Sequence, residues 1–227
     1  MDVSAGTIVV WADIACPWAT LALHRLHTVR ERLELVDRVR LDIRAFPLEL
    51  HNQRATPKLT LDAEVPVVGE RAPDFGFQVW TAPAEQWPVS TLLALEAVQA
   101  AKTQSLEASE ELDLALRRAM FAESRCISLR HVIMEAADDC NTVDLDKLAE
   151  SLDHGTARST VMEQFDRTNG DGVDGSPHLF LPDGSDYANP GIELHWEGKA
   201  GEGGFPVVDA DDPEIYERIL EAAAGEG

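Results

Sequence analysis

The stretch Trp11-Ala-Asp-Ile-Ala-Cys-Pro-Trp-Ala19 sets a cysteine where an apolar run gives way to a helical one. A thiol there would face unpaired backbone N–H groups at the helix start and the positive end of the helix dipole, and both favour thiolate. Thiolate is the nucleophile of thiol–disulfide exchange, so the position predicts a reactive Cys16. The competing reading is a small buried residue, a common fate of free cysteine. A second stretch, Gly175-Ser176-Pro177, runs into the apolar PHLFL. A proline opening a buried strand can follow a cis or a trans peptide bond, and the residues alone leave both open.

Other reactive side chains carry weaker signals. His24 and His27 lie three apart on one helical stretch, but no third ligand stands at a zinc-site spacing. They read as a partly exposed helix face. Asn169-Gly-Asp-Gly-Val-Asp174 lacks the alternating ligands and terminal glutamate of a calcium loop and reads as a turn. Trp80, Trp87 and Trp196 read as core, with a pocket beside Trp18 as the alternative. Cys140 shares a helical stripe with Val132 and Ala136 and also reads as core. Cys126 follows Arg125 at a helix boundary, and its role is open. No glycine pattern for cradling phosphates is present.

These residues need elements to hold them. Thr7 to Trp11 is β-branched and apolar, which suits a buried strand. Trp18, Leu21, Ala22, Leu26 and Val29 then recur at helical spacing, with Pro17 at the first helical position, where its missing N–H costs nothing. Val39 to Phe46 alternates apolar and polar, as a half-buried strand does. The β-α-β order implies parallel strands joined by a right-handed crossover. Residues 47–87 carry Pro47, Pro57, Pro66, Pro73 and Pro83 and predict an ordered excursion without definite elements. From Pro88 to about Phe165 the pattern is helical. Its stripes are Leu92, Leu95 and Val98; Leu112, Leu116 and Met120; and Val132, Ala136 and Cys140. Ser90, Ser109, Ser128 and Asn141 are expected caps or breaks. A glycine-rich turn, a strand over Pro177 to Leu181, a further strand near Tyr187 and a last helix from Asp212-Pro213 close the chain. Ile215, Tyr216, Ile219 and Leu220 form the buried side of that helix. Helical periodicity between two β-containing segments predicts an α/β domain with an all-helical insertion. The expected division is residues 1–85, 86–166 and 167–227.

Composition narrows the function classes. The 227 residues carry 41 acids against 19 bases, a formal charge of −22. A surface that acidic repels phosphate backbones, which argues against nucleic-acid binding. The N-terminal stretch has no basic region and its apolar run is broken at Asp13, unlike a secretory signal. No apolar run reaches the ~18 residues of a membrane helix. Three cysteines, an odd number at low density, fit a reducing compartment. A soluble cytoplasmic protein without structural disulfides is expected; its oligomeric state is open.

The ordered set of strand, CPW at a helix start, second strand, helical insertion and Gly-Ser-Pro before a strand resembles the DsbA-like thioredoxin-fold proteins, above all their FrnE-type cytoplasmic branch. FPLELHNQ (46–53), ALRRAMFAESRCIS (115–128) and VDGSPHLFLPDG (173–184) carry the likeness further, over about residues 7–190. The resemblance implies a thioredoxin-like fold, with Cys16 as attacking thiol and Pro17 and Trp18 shaping its surroundings. It implies a cis Pro177 facing the thiol and a Ser176 backbone that receives an extended substrate. The family motif is usually C-P-W-C, and this chain has Ala19 in the last position. Cys16 therefore lacks a local partner. The implied activity is oxidoreductase chemistry on a small-molecule or disulfide substrate through a single thiol. An external low-molecular-weight thiol of glutathione or mycothiol type would resolve it, with no tightly bound cofactor and no metal. A thiol-dependent isomerase or transferase, and a redox-silent binding protein of the same fold, are the alternatives.

Overall fold

The computed structural model describes residues 1–225. Strand β1 (Thr7–Ala12) lies inside a four-stranded sheet of order β2-β1-β3-β4. It runs parallel to β2 (Arg40–Ala45) and antiparallel to β3 (His178–Phe180). β3 in turn pairs with the edge strand β4 (Asp186–Ala188). Residues 8–12 are all buried, which is why this strand reads as an unbroken apolar run. β2 alternates buried and half-buried residues, matching its sequence pattern. Gly6 opens β1 at φ +69°, and a Cβ there would lie 2.7 Å from the Arg38 carbonyl. Only glycine lets the two strands start side by side.

Helix α1 (Pro17–Arg32) connects β1 to β2. Between β2 and β3 stand α2 (Leu48–His51), α3 (Lys58–Gly69), a short 3-10 turn (Ala84–Gln86), α4 (Leu92–Lys102), α5 (Leu106–Phe121), α6 (Arg130–Asp138), α7 (Leu145–His154) and α8 (Arg158–Arg167). After β4 come an antiparallel hairpin, β5 (Ile192–Glu197) and β6 (Phe205–Asp211), and the last helix α9 (Ile215–Ala224). Among the described residues no helix is long and apolar enough to cross a membrane.

Two expectations need correction, and one element was not anticipated. The proline-rich excursion contains a three-turn helix, α3. Pro57 sits at its N-cap, where no N–H is needed, and Pro66 lies inside it. Leu61, Val65 and Val68 give it a buried face that outweighs the prolines. Of the expected caps or breaks, Ser90, Ser128 and Asn141 lie between helices, with the Ser90 hydroxyl accepting the Leu92 N–H at 3.3 Å, and Ser109 does not. Ser105 and Asp144 cap α5 and α7, accepting the Ala108 and Lys147 N–H groups. Ser109 lies inside α5 and donates back to the Leu106 carbonyl. The β5–β6 hairpin had no separate expectation; most of its residues are half-buried or exposed, so its apolar signal is weak.

Two buried polar links join the helical region to the sheet. Glu110 of α5 accepts from the Arg30 guanidinium at 2.6 Å and from the Leu41 N–H at 2.8 Å. Arg117, fully buried on α5, forms a bidentate pair with Asp113 at 2.7 and 3.1 Å. Its remaining N–H groups donate to the Asp13 carbonyl at 2.9 Å and the Thr20 hydroxyl at 3.1 Å. An arginine buried this deeply is tolerable only with its donors satisfied. Arg117 thus braces the loop that leaves β1 and enters α1.

Candidate active site

Cys16 is the N-cap of α1, with extended backbone (φ −88°, ψ 112°), and Pro17 begins the helix. Its Sγ accepts the Ala19 N–H at 3.4 Å and donates to the Ser176 carbonyl at 3.0 Å. The Ser176–Pro177 peptide bond is cis. The Ser176 hydroxyl accepts the Asp13 N–H at 2.9 Å, so the two loops are tied on both sides of the sulfur. Asp13, buried, accepts from the Ala15 and Leu48 N–H groups at 2.8 Å each and from the Thr91 hydroxyl at 3.1 Å. It locks the cysteine loop to the starts of α2 and α4.

The sulfur opens onto a cleft of about 240 Å³ lined by Cys16, Trp18, Asn52, Arg54, Glu64 and Ser176, among others. Trp18 Nε1 donates to Glu64 Oε1 at 3.0 Å, which brings α3 against the start of α1. Burial pushes the Glu64 carboxyl up to about 7, against the Trp18 hydrogen bond. Burial likewise raises Asp13 to about 6, against its hydrogen bonds and the charge of Arg117.

The thiol is not activated in this resting geometry, which corrects the expected thiolate. Burial, leaving Cys16 6 % exposed, pushes it up to about 11. The negative charge of Glu64 adds to that, and Asp13 does so more weakly. A side-chain hydrogen bond with Ser176 and the Ala19 N–H oppose the rise and are outweighed. The helix-start donor anticipated from the sequence is present, but water exclusion and two carboxyls override it. The proton on Sγ makes the bond to the Ser176 carbonyl.

Of the predicted site residues, Cys16, Pro17, Trp18 and Ser176 meet in this cleft. Pro177 is buried and does not line it. Cys16, Cys126 and Cys140 are all free. Cys140 lies just past the end of α6, half-buried rather than core, and lines a separate hollow with Glu111 and Arg118. Trp80 and Trp87 pack edge to face at 5.1 Å beside Leu61 and Met120 and do not line the cleft; like Trp196 on β5 they are half-buried rather than core. His24 pairs with Asp74 at 3.0 Å, and His27 Nδ1 accepts from Arg30 at 3.1 Å. Among the described residues no group of three or more His, Cys, Asp or Glu side chains could hold a metal. Glu64 and Arg54 are the charged, uncommitted residues among the several cleft residues that sequence reasoning missed. The spacing of Leu61, Val65 and Val68 behind Pro57 was the available signal for α3, and hence for Glu64.

Residues 7–196 match the family model described as DSBA-like thioredoxin domain. Among solved structures, a probable DsbA oxidoreductase from Streptomyces coelicolor superposes with a TM-score of 0.68 at 20 % identity, covering 97 % of this chain and 91 % of that one. The cytosolic disulfide reductase DsbM from Pseudomonas aeruginosa gives 0.56 at 14 % identity, over 96 % and 95 % of the two chains. A 2-hydroxychromene-2-carboxylate isomerase gives 0.56 at 17 % identity, over 80 % and 87 %. No curated protein matches the chain by sequence. At these identities the likeness to the solved structures is one of fold, and with the family match it bears out the expected thioredoxin-like α/β class.

Proposed function

The chain belongs to the DSBA-like thioredoxin domain family, and on that premise we propose that it is a thiol–disulfide oxidoreductase working through the single thiol of Cys16. The observation that carries the reading is the sulfur at the wall of a small cleft, between the start of α1 and the Ser176 carbonyl, with Ala19 in place of a neighbouring thiol. Cys16 attacks one sulfur of a small disulfide, releases the other half as a thiol, and keeps the first half as a mixed disulfide. A second low-molecular-weight thiol then frees it. A cleft of about 240 Å³ falls below the roughly 300–1,000 Å³ of drug-sized sites, which favours a small substrate over a polypeptide.

The raised thiol sets the direction. A family cysteine with a stabilised thiolate is an oxidant because its reduced form is favoured. Cys16 has no such stabilisation near neutral pH, which disfavours a role as an oxidant that passes its disulfide on to other proteins. The reading is of a reductase or thiol-adduct acceptor. A reducing, cytoplasmic setting goes with that reading, supported by three cysteines at low density and by the likeness in fold to a cytosolic disulfide reductase.

One observation favours a second reading. A thiol held protonated can donate a hydrogen bond to the sulfur of a bound cofactor thiol, as a thiol-dependent isomerase or transferase would require. The two separate on one experiment. The protein is incubated with bis(2-hydroxyethyl) disulfide and its intact mass followed. Exchange predicts one adduct, mapped to Cys16, reversed by mercaptoethanol and absent from Cys16→Ser. No adduct at Cys16, together with saturable binding of reduced glutathione that survives in Cys16→Ser, would replace exchange with the isomerase reading.

A further inference from the structure

Glu64 is an unusual wall for a thiol site. Its carboxyl is largely withdrawn from water, it accepts a hydrogen bond from the neutral Trp18 indole, and among the described residues it meets no cationic side chain. A carboxylate taken out of water without a counter-ion is costly, and a ligand ammonium would offset that cost. Lys58, on the same helix, is already paired with Asp62 at 2.6 Å. The other carboxylates of the cleft are committed. Asp13 holds three donors, and Glu49 takes the Thr91 and Leu92 N–H groups and the Ser90 hydroxyl. Arg54 lines the same cleft, exposed, and among the described residues its guanidinium meets no carboxylate. The thiol therefore shares its cleft with one uncommitted anion and one uncommitted cation, on a protein whose formal charge is −22.

We propose that the cleft selects amino-acid-type disulfides, small zwitterions whose ammonium pairs with Glu64 and whose carboxylate pairs with Arg54 while their sulfur meets Cys16. The inference rests on the exchange reading above and names its substrate class. Docking of the ammonium would also relieve the obstacle to reaction. The Glu64 charge is among the forces that hold the Cys16 proton in place, and a paired carboxylate no longer opposes ionisation. The exchange balances without an outside oxidant. The Cys16 S–H bond breaks, a bond forms from its sulfur to one substrate sulfur, and the substrate disulfide breaks. The departing thiolate takes up the proton, so one thiol and one disulfide are present before and after. A thiol carrier without an ammonium, such as the mycothiol type, would lack the Glu64 contact.

Four disulfides test this: cystine, cystamine, dithiodiglycolate and bis(2-hydroxyethyl) disulfide, which are zwitterionic, cationic, anionic and neutral. The rate of adduct formation on Cys16 is followed by intact mass, and each rate is divided by that of a simple reference thiol with the same reagent. The expected result is a normalised preference of about tenfold or more for cystine over the neutral reagent, the factor that corresponds to ~1.4 kcal/mol. Glu64→Gln should speed the neutral reagent and erase the advantage of cystine and cystamine. Arg54→Ala should slow cystine and dithiodiglycolate and spare cystamine. Equal normalised rates for all four, or an order unchanged in Glu64→Gln, overturns the proposal while leaving exchange intact. Failure of every reagent, the neutral one included, to modify Cys16 brings down the exchange reading and this inference with it.

Discussion

At the scale of single residues, the site is decided by which effect dominates at Cys16. Helix-start donors were legible in the sequence, because a strand running into Cys-Pro fixes where the helix begins. Burial and the charge of Glu64 were not, because both depend on α3, which approaches from more than forty residues away. With its thiol pushed to about 11, Cys16 is ionised in only about one molecule in ten thousand at pH 7. Glu64 itself is held near 7 against an ordinary 4.5. The folded carboxyl keeps its proton to higher pH than the unfolded one, so stability falls as pH rises through that window. The loss amounts to about 3 kcal/mol once pH is above both values. Glu64→Gln, whose amide oxygen can still accept from Trp18, should therefore be more stable than the parent by up to about that amount at pH 8 and gain nothing at pH 4. Urea unfolding at the two pH values measures it. A gain of equal size at both would show that the carboxyl charge is not the cause.

Among elements, the site depends on a helix the sequence hid and a brace it could not reveal. α3 was masked by its prolines, although Leu61, Val65 and Val68 already carried its buried face. β1, β2 and the long helices were legible because β1 is an unbroken buried run, β2 alternates and the helices repeat their apolar residues at regular spacing. Arg117 shows the opposite case: an arginine in a sequence reads as surface, and this one is fully buried between Asp113 and the cysteine loop. Arg117→Met leaves Asp113 buried without its partner and the Asp13 carbonyl without a donor. The expected cost is about 3–5 kcal/mol of stability. Asp113→Asn with Arg117→Met should recover part of it, because no uncompensated charge then remains. Thermal unfolding of the single and double variants decides the point, and a double variant no better than Arg117→Met would contradict the brace.

For the whole molecule, a net charge of −22 speaks to the long-range field and says nothing of the cleft, where the local balance of Glu64 and Arg54 matters more. The buried ionisable groups make folding sensitive to acid in a defined way. Burial and the charge of Arg30 hold His27 down to about 3, and its Nε2 is buried without a partner. Unfolding lets it protonate, so its contribution is complete above its ordinary 6.5 and is lost as pH falls towards 3. By pH 4 the loss is about 3 kcal/mol. His27→Gln keeps an acceptor for Arg30 and should gain on the parent by that amount between pH 7 and pH 4. A constant difference across the range would assign acid sensitivity to other groups. The central claim, a lone thiol kept protonated by burial and by Glu64 until a ligand arrives, is tested most directly by the alkylation rate of Cys16 as a function of pH, with Cys126 and Cys140 replaced by serine. The account predicts a rate that rises about tenfold per pH unit through roughly pH 9 without a plateau, as for a thiol titrating near 11. A plateau reached below about pH 8.5, the midpoint of an ordinary free cysteine, would contradict it.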